Sequence, residues 1–279
     1  MSEIRFDGRV AIVTGAGRGL GASYARALAG RGATVVVHDA GVELDGSGGD
    51  PSFADTVARD LGEPAVASYA NLEDAEGCKR LVESTLERFG RVDIVIQNAG
   101  LLVWEELEDA GRSWERMRRV NVDAPFHLTR AVFPAMKEQG YGRFVFTTSG
   151  RAMSVEWTRP GLAAYAVGKL AHFGLMLVTA AEGADHGIRA NAISPAAATR
   201  MLRRSVEPGE LEPDQVAPAV VFLASERCDF SGVVIAAGGG EFSIARWEET
   251  DEIDLGREPV EPELIAERWA NIEGAVNTT

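Results

Sequence analysis

The chain has 279 residues, of which 46% are hydrophobic, which is enough apolar material for a substantial core. Its formal net charge of −14 argues against nucleic-acid binding, because the phosphates would be repelled. The two cysteines indicate a reducing compartment, and the sequence shows neither a signal peptide nor an apolar run of membrane-spanning length, so we expect a cytoplasmic protein that does not cross a membrane.

The first predicted elements are a buried strand at residues 10–13 and a helix at residues 20–31, separated by a glycine-rich turn. Because Gly15, Gly19 and Gly21 lack a Cβ, the backbone can turn tightly there and approach a ligand. The free N–H groups at the start of the helix face this turn, which makes it a candidate pyrophosphate site. The residues expected to contact a dinucleotide here are Gly15, Gly17, Arg18, Gly19, Leu20 and Gly21.

A second predicted strand, residues 34–37, ends close to Asp39. An acid at this distance from the glycine turn can accept hydrogen bonds from a ribose 2′-hydroxyl and would repel a 2′-phosphate, so Asp39 favours NAD. Arg18 is a counter-signal for NADP, but the Asp39 charge would lie at the 2′ position itself. The glycine-rich stretch 40–52 is expected to be a surface loop, either near the adenosine end of the cofactor or without function.

Strands and helices alternate along the rest of the chain, which predicts a doubly wound, Rossmann-like α/β sheet of seven parallel strands with helices on both faces. Residues 1–240 are expected to form the dinucleotide-binding catalytic domain, and the acidic extension 241–279 to be part of that domain. Pro125 and Pro134 should bend or restart the helix predicted at residues 113–139. The remaining strands are predicted at 65–70, 92–96, 143–149, 188–193 and 233–237, and the helices at 53–61, 75–89, 113–139, 161–185 and 261–272.

The spacing TGxxxGxG at residues 14–21, with NAG at 98–100 and YAVGK at 165–169, resembles the short-chain dehydrogenase/reductase family. That resemblance implies hydride transfer between an alcohol or ketone and a nicotinamide, and a homodimer or homotetramer built through the two long helices. Asn71 stands where the family commonly has an Asp that touches the adenine. Further cofactor contacts implied by the resemblance are Asn71, Leu72, Asn98, Ala99, Gly100, Tyr165, Lys169, Pro195 and Thr199.

Tyr165 and Lys169 lie at i and i+4 of a predicted helix, and therefore one turn apart on one face. A free phenol has a pKa near ~10, too high for a good base at neutral pH. The ammonium of Lys169, together with an oxidised nicotinamide, would favour the phenolate. Tyr165 is therefore the candidate general acid and base, although a YxxxK pair alone is common by chance.

Ser149 and Asn121 complete the candidate catalytic set. The family serine stands about thirteen residues before the tyrosine, where this chain has Ala152, but aligning the strand ends places Ser149 there and leaves Ser154 as the alternative. Asn121 matches the family asparagine that organises a water relay to the lysine. It could equally be a buried amide that bonds the bent helix.

The substrate is less narrowly indicated. Within the family, VVVHDAG, GYGRFVFTTS and PAAATRM resemble the (3R)-hydroxyacyl-CoA dehydrogenases of peroxisomal multifunctional enzymes, so 3-hydroxyacyl-CoA and steroid-like alcohols are candidates. Arg200, Arg203 and Arg204 could bind coenzyme A phosphates or be solvated surface charges. The alternatives are an NADPH-dependent 3-oxoacyl-carrier reductase and a non-catalytic dinucleotide sensor. The four histidines show no ligand spacing, so no catalytic metal is expected.

Overall fold

The computed structural model describes residues 2–202, 205–247, 249–256 and 259–274. Its strands form one sheet in the order β3-β2-β1-β4-β5-β6-β7-β8. All seven predicted strands are present and parallel, which confirms the doubly wound α/β class. The strands are β1 (Val10–Thr14), β2 (Thr34–His38), β3 (Val66–Ser68), β4 (Ile94–Gln97), β5 (Gly142–Thr147), β6 (Ile188–Pro195), β7 (Val234–Gly238) and β8 (Glu241–Ala245).

The eighth strand corrects the prediction. Gly239 and Gly240 both have positive φ, 59° and 82°, and form a two-residue hairpin turn that returns the chain antiparallel to β7. Residues 241–245 therefore belong to the sheet and not to the C-terminal extension. The chain forms two compact units, Met1–Ala245 and Arg246–Thr279. Membership of the extension in the catalytic domain stays a prediction.

Nine helices are described, and the long predicted helix 113–139 is not continuous. A π-helical turn, Arg119–Asp123, interrupts it, and a new helix begins at Ala124 with Pro125 in its first turn, where a missing N–H leaves no bond unmade. The helices are α1 (Gly19–Ala29), α2 (Ser52–Leu61), α3 (Ala75–Phe89), α4 (Gly111–Arg118), α5 (Ala124–Gln139), α6 (Gly150–Met153), α7 (Ala163–Gly183), α8 (Ala217–Ala224) and α9 (Pro262–Ile272), of which α9 lies in the second unit.

Helices cover both faces of the parallel sheet. Every residue of β1 is buried, because Val13 faces a core shared with α1, α2 and α8 while Ile12 faces a core shared with α3, α5 and α7. Burying an aliphatic side chain of this size contributes about 1.5–3 kcal/mol. The two apolar layers fix the register of the sheet, and so the positions of the loops at its carboxyl edge.

Two observations bear on membrane and metal. Within the described residues, one segment, Ala163–His186, is long and apolar enough by composition to cross a membrane. Tyr165, Lys169 and His172 lie buried on it, which is typical of a helix in the core of an α/β fold. No group of three or more His, Cys, Asp or Glu side chains in the described part of the chain is arranged to hold a metal ion.

Candidate functional site

The loops at the carboxyl ends of the parallel strands surround a cleft of about 1640 Å³. It lies where the strand order reverses, between β1 and β4, which is the position at which open α/β sheets bind ligands. Its volume exceeds the roughly 300–1,000 Å³ of a pocket for one drug-sized molecule, so a dinucleotide and a second ligand fit together. All predicted site residues line it except Gly17, Gly21 and Asn121.

The glycines of the turn have two different structural roles. Gly15 and Gly19 have φ of 65° and 54°, a conformation that favours glycine, and both line the cleft. A Cβ on Gly21 would stand 2.1 Å from the Gly15 carbonyl oxygen, and one on Gly17 would stand 2.8 Å from Phe53 Cβ. Gly17 and Gly21 therefore allow the turn to pack closely against the protein, whereas Gly15 and Gly19 form its open side.

Asn98 fastens the glycine turn to the neighbouring strand. Its side-chain amide donates to the carbonyls of Thr14 and Gly15, at 2.9 and 3.2 Å, and the backbone N–H groups of Asn98 and Ala99 both donate to the Thr14 hydroxyl at 3.0 Å. The NAG motif thus holds the ends of β1 and β4 together. Gly100 follows and lies beside Asn121 and Lys169, which are described below.

Asp39 is buried, with both carboxylate oxygens facing backbone N–H groups. One oxygen accepts from Gly17 at 2.8 Å and the other from Gly41 at 2.7 Å. The carboxylate therefore joins the glycine turn to the start of the following loop. It also lines the cleft, where its remaining lone pairs and its charge face a ligand.

Arg18 is engaged within the protein. Its guanidinium lies 3.7 Å from the Phe53 ring centroid, donates to the Val42 carbonyl at 2.7 Å, and pairs with Glu43 at 3.5 Å. These contacts fix loop 40–48 over the glycine turn. The loop therefore forms one wall of the cleft, and its place near the adenosine end of the cofactor stays a prediction.

Tyr165 and Lys169 project from α7 into the cleft, both almost completely buried. The Lys169 Nζ lies 6.0 Å from the centroid of the Tyr165 ring. Burial raises the pKa of Tyr165, and hydrogen bonding with Ser149 and the charge of Arg151 lower it by less. Burial also lowers the pKa of Lys169 to about 8. In the protein alone, desolvation outweighs the charge of Arg151, and the lowering of the Tyr165 pKa by Lys169 together with an oxidised nicotinamide stays a prediction.

Ser149 ends the segment that follows β5 and begins α6. Its hydroxyl accepts from the Arg151 N–H at 3.3 Å and lies close enough to Tyr165 to lower its pKa by hydrogen bonding. Ser154, the alternative, is not among the residues that line the cleft. The extra residues before Tyr165 form α6 and the turn after it, which lets Ser149 face the phenol.

Asn121 lies inside the π-helical turn and does not line the cleft. Its amide Oδ1 accepts from the Leu101 N–H at 2.8 Å, and its Nδ2 donates to the Leu101 carbonyl at 2.9 Å. A Cβ on Gly100 would stand 3.2 Å from both Asn121 Oδ1 and Lys169 Nζ, and one on Gly168 would overlap Asn121 Cβ at 2.5 Å. Asn121 therefore bonds the segment after NAG to the bent helix directly behind Lys169, and the water relay stays a prediction.

The remaining predicted residues lie around the rim. Asn71 bonds locally, accepting from the Glu73 N–H and donating to Asp74, and its neighbour Leu72 is buried against the core. Thr199 lies 3.4 Å from the position of a Cβ on Gly19, so the segment after Pro195 faces the glycine turn. Arg200 pairs with Glu43 at 2.8 Å, and Arg203 and Arg204 lie outside the described residues.

Among the cleft residues that sequence reasoning missed are Trp104, Arg151 and Trp157. The first lies in the loop after β4 and the other two in and after α6. Their signal in the sequence was their position, since large or charged side chains in loops that follow parallel strands point to ligand sites. The two indoles add apolar surface to this end of the cleft, and Arg151 adds a positive charge.

Comparison with known proteins agrees with the fold and identifies the family. Residues 9–210 match the family model described as short chain dehydrogenase. The chain is 37% identical to the mouse peroxisomal multifunctional enzyme type 2, over 97% of this chain but 37% of that protein. It is also 37% identical to a short-chain type dehydrogenase/reductase of Mycobacterium tuberculosis, over 95% of this chain and 93% of the relative. The predicted resemblance is confirmed.

Solved structures give the same assignment. A short chain dehydrogenase from Mycobacterium avium superposes with a TM-score of 0.82 at 33% identity, covering 96% of this chain and 95% of the other. The 3-ketoacyl-(acyl-carrier-protein) reductase from Brucella melitensis, solved in complex with NADH, superposes with a TM-score of 0.74 at 30% identity, covering 84% and 98%. This chain belongs to the short-chain dehydrogenase/reductase family.

Proposed function

We propose that this oxidoreductase transfers hydride between a secondary alcohol or ketone and NAD, with Tyr165 as the general acid and base. The proposal depends on one observation, that Tyr165, Ser149 and Lys169 line the same cleft as the glycine turn. A non-catalytic dinucleotide sensor has no use for a buried lysine beside a phenol. A bound nicotinamide would accept the hydride, and the protein groups would orient the substrate and transfer its proton.

Each protein group has one task in this proposal. Ser149 donates a hydrogen bond to the substrate oxygen and orients it toward the Tyr165 phenol. Tyr165 takes the hydroxyl proton during oxidation and returns it during reduction. Lys169 supplies positive charge behind the phenol, and Asn121 fixes the backbone after NAG that packs against that lysine.

Two features support NAD over NADP. Asp39 presents a carboxylate to the cleft from the end of β2. There it would accept hydrogen bonds from the ribose hydroxyls and would repel a 2′-phosphate. Arg18, the basic residue that would otherwise hold that phosphate, has its charge paired with Glu43 and its guanidinium stacked on Phe53. The glycine turn with the start of α1 receives the pyrophosphate.

The cofactor proposal is tested with Asp39→Asn, which removes the charge but keeps one acceptor oxygen. We expect the ratio of kcat/KM for NAD over NADP to fall by about 10-fold or more, as relieving one close charge repulsion is worth about 1–4 kcal/mol. Asp45→Asn is the matched control, because it removes an equal charge from an exposed position of the same loop. Equal use of both cofactors by the unmodified protein would contradict the proposal.

For the substrate, 3-hydroxyacyl-CoA and steroid-like alcohols are the leading candidates. The multifunctional-enzyme relatives support an acyl-CoA substrate, although the chain spans only 37% of the mouse protein. The second candidate is an NADPH-dependent 3-oxoacyl-carrier reductase, and the likeness to the Brucella reductase, which was solved with NADH, supports its substrate class but not its cofactor. NADH formation from a panel of acyl-CoA, steroid and simple secondary alcohols, compared with NADPH oxidation by a 3-oxoacyl carrier substrate, distinguishes these candidates. Tight NAD binding with no turnover of any of these substrates would favour a sensor.

We also propose a homodimer or homotetramer in the cytoplasm. The outer faces of α5 and α7 expose large apolar side chains, Phe126, Val167, Leu170, Leu177 and Val178. A second copy would cover this stripe, as such a face is typical of an interface. Val178→Asp should lower the mass measured by light scattering, whereas Val155→Asp, at a position 95% exposed in a loop, should not. A monomeric unmodified protein would refute the assembly.

A further inference from the structure

Arg151 stands on the wall of the cleft beside the candidate catalytic phenol. It is the second residue of α6, two positions after Ser149, and it is half-buried. Its guanidinium carbon lies 5.5 Å from the centroid of the Trp104 ring, which stabilises the cation over the aromatic face. Its charge reaches Tyr165, whose pKa it lowers. Ser149, Arg151 and Tyr165 all line the same cleft, and the Arg151 backbone N–H donates to the Ser149 hydroxyl, so Arg151 is near the place where the proposed proton exchange occurs.

Arg151 differs from the other cleft arginines in that its guanidinium has no hydrogen-bond or ion-pair partner among the described residues. Arg18 and Arg200 both pair with Glu43, and Arg159 donates to two backbone carbonyls of its own loop. Within the described ranges, the guanidinium of Arg151 has neither a carboxylate within salt-bridge distance nor a hydrogen-bond acceptor. The chain carries 42 acidic and 28 basic side chains, so acids are in excess, yet the half-buried Arg151 pairs with none of those described and is available to an anionic ligand.

We propose that Arg151 binds a carboxylate of the substrate, so that the alcohol is a hydroxy acid whose carboxylate lies a few bonds from the carbinol. A guanidinium presents parallel N–H donors that match a carboxylate, and the apolar wall formed with Trp104 and Trp157 strengthens that pairing. Because Arg151 stands beside Tyr165, the anion it binds lies close to the reacting carbon, unlike the remote phosphates of coenzyme A. This inference rests on the proposed function.

The test compares 3-hydroxybutyrate, its methyl ester and its coenzyme A thioester as substrates with NAD. Arg151→Gln should raise KM for the free acid by about 10- to 100-fold, the loss expected for a charge-assisted hydrogen-bonded pair, and leave KM for the ester unchanged. Arg151→Lys should regain part of the loss, because it restores the charge but not the planar fork. Arg59→Gln, which removes an equal charge from an exposed position on α2, should not change either KM.

A second measurement separates this inference from the proposed function. Calorimetric binding of 3-hydroxybutyrate to protein saturated with NADH, which cannot accept hydride, should weaken in Arg151→Gln by the same factor. Binding that depends on Arg151 without turnover of any alcohol would contradict the proposed function and leave only the carboxylate binding by Arg151 supported. Turnover that falls equally for acid and ester, or only for the thioester, would overturn the inference and leave the function intact.

Discussion

Gly168→Ala tests whether the position of Asn121 controls catalysis. Gly168 lies on α7 one residue before Lys169, and a Cβ there would stand 2.5 Å from Asn121 Cβ. Carbon atoms in contact lie about 3.5–4.0 Å apart, so Asn121 must move by about 1 Å or α7 must shift with its lysine. Either movement disturbs the two hydrogen bonds between the Asn121 side chain and the Leu101 backbone, which lie behind Lys169.

The expected effect on activity is larger than that on stability. Overpacking of this kind costs about 1–3 kcal/mol, and exchanging glycine for alanine in a helix recovers about 0.5–1 kcal/mol of that. A displacement of about 1 Å near the reacting groups lowers kcat by roughly 10- to 100-fold. Urea unfolding and steady-state kinetics with the best alcohol measure both quantities on one preparation.

Gly111→Ala is the matched control, because it adds the same methyl group to a helical glycine with open space around it. It should leave kcat unchanged. If Gly168→Ala folds and binds NAD normally, yet oxidises alcohol at the rate of the unmodified protein, the proposed role of Asn121 in positioning the site is wrong.

Three further predictions concern buried groups. Lys169→Met should abolish turnover yet raise the free energy of unfolding at pH 7 by on the order of 2–3 kcal/mol, because the lysine pKa of about 8 in the folded protein lies below its ordinary 10.5. Between about pH 8 and pH 10.5, unfolding of the unmodified protein takes up a proton at Lys169, so its free energy of unfolding rises with pH and the greater stability of the variant should shrink over that range. A difference in free energy of unfolding that stays constant with pH in urea melts would contradict this. Asp93→Ala should cost about 3–5 kcal/mol, since the buried carboxylate accepts from the Val10 N–H and pairs with Arg9 and Arg91, whereas Glu226→Gln, at an exposed partner of Arg9, should cost little. Cys78, whose thiol pKa burial raises to about 12, and the buried Cys228 should react with a thiol reagent only as fast as the protein unfolds; rapid labelling of native protein would show that either is accessible.

The elements with a strong local pattern were predictable from the sequence. The strands β1, β2 and β4 are short apolar runs rich in β-branched residues, and the glycine turn follows β1 directly, so the centre of the sheet and the cleft at its carboxyl edge could be predicted from the residues alone. The helix α8 was not predicted, because its eight residues are apolar on every side and have no amphipathic period. Its burial in the core becomes visible only in the folded chain.

The finer geometry of the site depends on contacts distant in sequence. The π-helical turn at Asn121 is fixed by bonds to Leu101, and the strand β8 by pairing with β7 after two glycines of positive φ. The pairing of Arg18 with Glu43, and the absence of a described partner for Arg151, likewise depend on how loops fold over the cleft. Sequence spacing predicts which residues reach the cleft, but not which of their charges are already neutralised.

The most direct test of the account is the turnover of Tyr165→Phe, which removes the phenolic hydroxyl and preserves the ring. NADH formation is followed with the best alcohol, and NAD binding is measured on the same protein. The account predicts that kcat falls by about 10²- to 10⁴-fold, the usual contribution of a positioned acid or base, while NAD binds as before. Oxidation at the rate of the unmodified protein would contradict it.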